Sequence, residues 1–162
     1  MKKIMEMLQN MKAKNEKKDN KGFSLVELII VIAIMAILVG VVGTQVLPYI
    51  NKSKEAKDFQ IISSYGTAAM TAYSSNADKI TIPADTKKIE FKVYDTANTD
   101  DKKTLADAIK GMTYDSIPDK FKSDKGKTID NIKVTYDFAA KTITTQALDG
   151  SDAVLDPVVS DM

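Results

Sequence analysis

Histidine, cysteine, tryptophan and arginine are absent from this chain of 162 residues, whose 23 basic side chains are all lysine. Without histidine or cysteine the chain lacks the commonest general base, the thiol nucleophile and most transition-metal ligands, which argues against an enzyme. Carboxylates and Ser/Lys pairs are the catalytic groups that remain. The absence of cysteine also rules out a disulfide staple. A further absence is local: from Leu28 to Asn51 the chain runs 24 residues without a charge. As a helix that stretch spans about 36 Å, against a bilayer hydrocarbon core of about 30 Å.

Glu27 stands at the edge of this run. A carboxylate in the hydrocarbon near the start of a span costs roughly 2 kcal/mol or more, depending on depth. Within one helical turn of the edge it either stays wet at headgroup level or has a functional partner, and physics alone leaves both readings open. Its neighbours are Lys21-Gly22-Phe23-Ser24-Leu25-Val26-Glu27. Gly22 is small, follows a lysine and precedes an aromatic residue, and the apolar stretch lies entirely after it. An ordinary secretory signal places its cleavage site after the apolar region instead.

That string, followed by Leu28 to Gly43, resembles the class III signal of type IV pilins and pseudopilins. The resemblance implies that a prepilin peptidase/methyltransferase cuts between Gly22 and Phe23 and N-methylates Phe23, and that Glu27 is the assembly residue. It also implies a homopolymer with other pilin subunits, raised on an inner-membrane assembly platform with its ATPase, from a precursor held in membrane lipid. No cofactor and no metal are implied. A rationale follows for Glu27: cleavage creates a cationic amine on Phe23 that a bundle of apolar helices buries, and a carboxylate from a neighbouring subunit neutralises it. Many pilins of double-membraned bacteria close their C-terminal region with a disulfide, so the lack of cysteine points to a Gram-positive host. Beyond about residue 75 the resemblance is one of layout only.

Charge is uneven although the total is +1. Residues 1–22 hold seven lysines against Glu6, Glu16 and Asp19, whereas residues 23–162 hold 16 lysines against 19 acids. The inside-positive bias favours a cytoplasmic N-terminus, with Lys52, Lys54 and Lys57 beyond the span as a counterweight. No uniformly basic surface for nucleic acid is evident. Ile4, Met7, Leu8 and Met11 fit a short amphipathic helix over residues 2–12, but a discarded flexible tail is the preferred reading. Lys14 to Lys21 reads as a solvated spacer presenting Gly22.

From about residue 24 to 75 the spacing predicts one helix, apolar in its first half and amphipathic in its second. Gly40, Gly43 and Pro48 interrupt it. Pro48 has no N–H for the carbonyl of Thr44, so a bend or loosened turn is expected across Gly43 to Pro48. The alternative is routine membrane-helix irregularity. The resemblance implies that this segment extends on packing into a filament, although the proline lies a turn later than usual. Phe59, Ile62, Gly66, Ala69 and Tyr73 then form a narrow apolar stripe suited to a sheet.

The remainder reads as a small head. Ser74 to Asp85 is a loop leaving the helix. Ile89, Phe91 and Val93 alternate with polar neighbours, as do Ile132, Val134 and Tyr136, and Thr142 to Ala147 returns beside the latter as a hairpin. Asp100 to Lys110 predicts a short helix with Leu105, Ala106, Ala108 and Ile109 inside. Asp149, Asp152 and Asp156 lack calcium-loop spacing and read as an acidic solvated tail. Tyr65, Tyr73, Tyr94, Tyr114 and Tyr136 read as packing aromatics rather than a ligand-stacking surface.

The expectation is therefore an α+β pilin fold with a long N-terminal helix on a small antiparallel sheet of three or four strands. Residues 1–22 form the cytoplasmic leader, 23–75 the helix (23–51 transmembrane or filament core, 52–75 amphipathic) and 76–162 the head. The implied function is a structural subunit of an extracellular type IV pilus serving adhesion, motility or related surface functions. The alternatives are a pseudopilin of a type II secretion or DNA-uptake system, and a minor pilin or adhesin whose head binds a ligand. A secreted domain cut by signal peptidase near Val41 to Gly43 is a further alternative, from a different class.

Overall fold

The computed structural model describes residues 3, 5–7 and 23–162. Residues 3 and 5–7 are helical, while the rest of the leader, including the spacer and Gly22, lies outside the described residues. By its contacts the chain divides into two units, Met1–Gln45 and Val46–Met162.

In the first unit, helix α1 spans Leu25–Val41 and none of its residues is buried. Its leucine, isoleucine and valine side chains stand in the open, with Phe23 84% exposed. A helix apolar on every side is at rest only in lipid or against other helices. The helical run from Leu25 to Asn76 contains a window long and apolar enough to cross a membrane.

A single π turn, Val42–Val46, follows α1 and leads into α2, Leu47–Asn76. Pro48 falls in the first turn of α2. A missing N–H is least damaging there, and widening the preceding turn relieves the lost bond to the carbonyl of Thr44. The Thr44 hydroxyl meanwhile donates back to the Gly40 carbonyl at 3.1 Å.

The second unit is an α+β assembly in which α2 lies on an antiparallel sheet. Five strands compose the sheet: β1 (Lys88–Lys92), β2 (Asn131–Asp137), β3 (Thr142–Asp149), β4 (Asp152–Ala153) and β5 (Val158–Asp161). Their order is β1-β2-β3-β4, with β5 also pairing β3. The expected alternation is present, since Ile89 and Phe91 of β1 and Ile132, Val134 and Tyr136 of β2 are buried. Helix α3, Asp100–Met112, adds Leu105, Ala106 and Ile109 to the same core, while Ala108 sits at its margin.

Two expectations need correction. The C-terminal stretch is not a solvated tail: Asp149 and Asp152 face each other where β3 turns into β4, and Val158 to Asp161 pair with β3. Val158, Val159 and the free edge of β3 outweigh the stretch's acidity, giving a fourth and a fifth strand. Phe59 leaves the apolar stripe and is 40% exposed, whereas Asp58 beside it is wholly buried. The buried face is Asp58, Ile62, Tyr65, Gly66, Ala68, Ala69 and Ala72. Its small residues let the sheet approach, and Val158 comes to within 3.4 Å of a Cβ placed on Gly66.

Among the described residues the Thr145 hydroxyl is buried without a hydrogen-bond partner. Thr145→Val keeps the shape and removes the orphaned group, so it is expected to raise stability by about 1 kcal/mol. A rise in the denaturant midpoint at unchanged slope would show this, and a fall would show that the hydroxyl is satisfied in solution.

Tyr65 and Tyr136 are buried in the core and Tyr73, Tyr94 and Tyr114 pack half-buried against it, as the sequence suggests. Tyr65 donates to Tyr94, whose hydroxyl donates to the Tyr114 carbonyl at 2.8 Å, and Tyr136 donates to the Ala69 carbonyl at 2.8 Å. Burial pushes all three phenols, Tyr65, Tyr94 and Tyr136, above the ordinary tyrosine range. Folded values above the unfolded one mean that this stability is intact below about pH 10 and is lost as pH rises beyond it. Ultraviolet titration should therefore show these phenols ionising only together with loss of near-ultraviolet circular dichroism. Six tyrosines titrating normally in a folded chain would contradict this packing.

Candidate functional site

The sequence concentrates unusual chemistry where α1 begins, and local physics dictates the geometry there. Ser24 holds extended backbone angles ahead of the helix, and its hydroxyl accepts from the Val26 N–H at 3.3 Å. Glu27, three residues on, reaches back so that its Oε2 accepts from the Ser24 N–H at 2.9 Å. The Leu28 N–H donates to the Ser24 carbonyl at 3.1 Å. This reciprocal capping box satisfies donors that a helix start otherwise leaves open, and it sets a carboxylate at the positive end of the helix dipole.

Glu27 is thus not idle in the single chain. Its carboxylate already holds a main-chain amide, one residue from the Phe23 nitrogen where cleavage is expected. Ser24 is the residue that sequence reasoning left without a role. The signal was present as Ser24-Leu25-Val26-Glu27, the S-x-x-E pattern ahead of an apolar run.

The other sequence-derived positions sit farther along. Gly40 lies in α1, Gly43 in the π turn and Pro48 in the first turn of α2. A Cβ added at Gly40 or Gly43 meets nothing within 4 Å among the described residues, so neither glycine is required by contacts with them. Both leave flat places on the helix surface where another backbone can come close. Gly22 lies outside the described residues.

The head offers no comparable constellation. A cleft of about 660 Å³ runs along β1, lined by Lys88, Lys92 and Lys133 against Asp95, Asp100 and Asp101. Its charges are mixed. Among the described residues no group of three or more acids is placed to hold a metal ion, and Asp149, Asp152 and Asp156 do not form one.

The comparisons point to the same end of the molecule. Residues 17–43 match the family model of the prokaryotic N-terminal methylation motif, the class III signal of type IV pilins. Curated proteins and solved structures give no match to the chain.

Proposed function

We propose that this chain, carrying the class III signal of type IV pilins at residues 17–43, is a structural subunit that polymerises through its N-terminal helix into an extracellular type IV pilus. The observation that carries the reading is α1: a helix exposed and apolar on every side, whose lone charge is a carboxylate in its first turn. In the proposed mechanism a prepilin peptidase cuts between Gly22 and Phe23 and the new Phe23 amine is methylated. Helix packing supplies cohesion, and Glu27 pairs with the Phe23 amine of a neighbouring subunit to set register.

The capping box adds a physical detail. Until a neighbour arrives, Ser24 occupies the Glu27 carboxylate, so the monomer does not hold a bare charge at the membrane edge. Docking exchanges a neutral amide donor for a cationic one, which adds the attraction of opposite charges in a low-dielectric setting to a bond that is already charge-assisted. The partners on this reading are other pilin subunits, the peptidase, the assembly platform with its ATPase and, before assembly, lipid. The head faces outward and has a structural rather than a catalytic task.

Electron microscopy of surface filaments labelled for this chain, beside a deletion strain, tests the proposal. Abundant labelled fibres are expected. Sparse or tip labelling would make the chain a minor subunit, and the absence of labelled fibres would make it a pseudopilin.

A further inference from the structure

The second unit carries a charge asymmetry that polymerisation through α1 leaves unexplained. Its first turns, Leu47 to Ile50, expose Leu47 by 61%, Tyr49 by 75% and Ile50 by 43%. Lys52, Lys54 and Lys57 follow at once. Onto these turns is fastened a segment some seventy residues away in sequence, Asp119 to Lys127.

The fastening is the buried carboxylate of Asp58, which accepts from the Lys122 and Ser123 N–H groups at 2.9 Å each. The Asn51 side chain accepts from the Asp124 N–H at 3.2 Å, and Lys125 lies 3.8 Å from Glu55. The Ser123 hydroxyl accepts from the Gly126 N–H at 2.8 Å and closes the loop. The fastened segment carries four lysines: Lys122 donates to the Asp119 carbonyl, Lys125 faces Glu55, Lys127 lies 3.7 Å from Asp124, and Lys120 stands over the Tyr114 ring.

On this surface seven lysines meet Glu55, Asp119 and Asp124, with Asp58 sealed beneath. The remainder of the unit carries nine lysines against 14 acids, so the basic charge is gathered at one place. Among the described residues none of Lys52, Lys54 and Lys57 takes part in an ion pair.

We propose that this collar binds the headgroups of anionic phospholipids on the outer leaflet while the precursor is anchored. The order along the unit is that of a membrane interface: exposed aliphatic residues, then a tyrosine at headgroup level, then lysines. Basic residues close to an anionic surface gain about 1 kcal/mol each, and the loop more than doubles the number that three helix lysines supply. The inference rests on membrane insertion of the chain, and not on which filament it enters. A head held by its collar stays near the bilayer, and extraction into a polymer must break those contacts.

The test uses the full chain in nanodiscs of phosphatidylcholine alone or of phosphatidylcholine mixed with phosphatidylglycerol, with amine acetylation followed lysine by lysine by mass spectrometry. Phosphatidylglycerol is expected to slow the collar lysines about fivefold, the equivalent of about 1 kcal/mol each. Lys87 and Lys103 should be unaffected, and the protection should shrink in high salt. Lys122→Gln/Lys125→Gln/Lys127→Gln should weaken it at Lys52 and Lys57. Adding soluble glycerol phosphate to plain discs should not reproduce it.

Equal labelling in both discs would overturn the proposal while leaving insertion intact. Protection in plain discs that grows with the number of chains per disc would assign the collar to a second copy and also overturn it. Failure to enter discs at all would overturn the membrane reading together with this one.

Discussion

Glu27→Ala is expected to leave cleavage and methylation intact and to reduce sheared filaments to a trace. The variant leaves each incoming Phe23 amine buried without its counter-charge. Removing one partner of a buried pair costs about 3 kcal/mol or more, which is roughly a hundredfold or more in each docking equilibrium. The loss multiplies along a polymer. The substitution also removes half of the capping box, worth about 1 kcal/mol to the start of α1. Glu27→Gln separates the two effects, because glutamine can still accept from the Ser24 N–H but carries no charge. If charge pairing sets register, Glu27→Gln assembles as poorly as alanine. Normal filaments from the glutamine variant would reduce Glu27 to a helix cap. Immunoblots of sheared and cell-bound fractions, with the N-terminal mass as the processing control, make the measurement.

The second large effect lies in the head. Asp58→Ala strips the Lys122 and Ser123 amides of their acceptor beneath a covered surface, and is expected to cost about 3 kcal/mol. Gly126→Ala attacks the same joint from the other side, since a Cβ there would stand 2.1 Å from the Asp58 carboxylate oxygen. The loop must shift, with an expected loss of about 2 to 3 kcal/mol. For a unit of this size either loss lowers the melting temperature by about 10 °C. Asp58→Asn should fall between alanine and the parent, because its amide can accept only one of the two bonds. The double variant is diagnostic: without the Asp58 carboxylate the tightest contact is gone and only the Ser123 hydroxyl, 2.9 Å from the added methyl, must still give way, so the two losses should combine to less than their sum. Thermal melts of the full chain in detergent, followed by circular dichroism, test this. Simple additivity would mean that Gly126 is constrained by something other than Asp58.

These two sites differ in how much of them the sequence discloses. The N-terminal site is local: Lys21 to Glu27 and the uncharged run beside them carry both the chemistry and the spacing. The S-x-x-E cap at Ser24 to Glu27 is equally local, although the same carboxylate also suits the amine expected on Phe23. Strand alternation at Ile89 to Val93 and Ile132 to Tyr136 is likewise local, since the period of two repeats within a few residues. The Asp58 joint is not local. Among Lys52, Lys54, Glu55 and Lys57 an aspartate looks like one more solvated charge, and its burial depends on a loop more than sixty residues away. Phe59 swings outward for the same reason: the covered face of α2 turns toward that loop rather than following the apolar residues. At the C-terminus, Asp149, Asp152, Asp156 and Asp161 conceal two short strands whose pairing is decided by the open edge of β3. Edge strands of two and four residues carry too little periodicity of their own to be seen.

On the proposed reading, the collar and the capping box place the precursor's contacts at the borders of the apolar run, one at each end. Each is expected to release its partner as the subunit enters the polymer, Ser24 giving way to a neighbour's amine and lipid phosphate giving way to water or protein. On this account processing precedes docking, because the amine that Glu27 accepts does not exist until the leader is removed.

The most direct measurement is the intact mass and N-terminal sequence of the mature protein recovered from the cell surface. The account predicts a chain that begins at Phe23 and carries one added methyl group on its terminal nitrogen. A mature chain beginning at Thr44, after the small residues that close the apolar run, would contradict it.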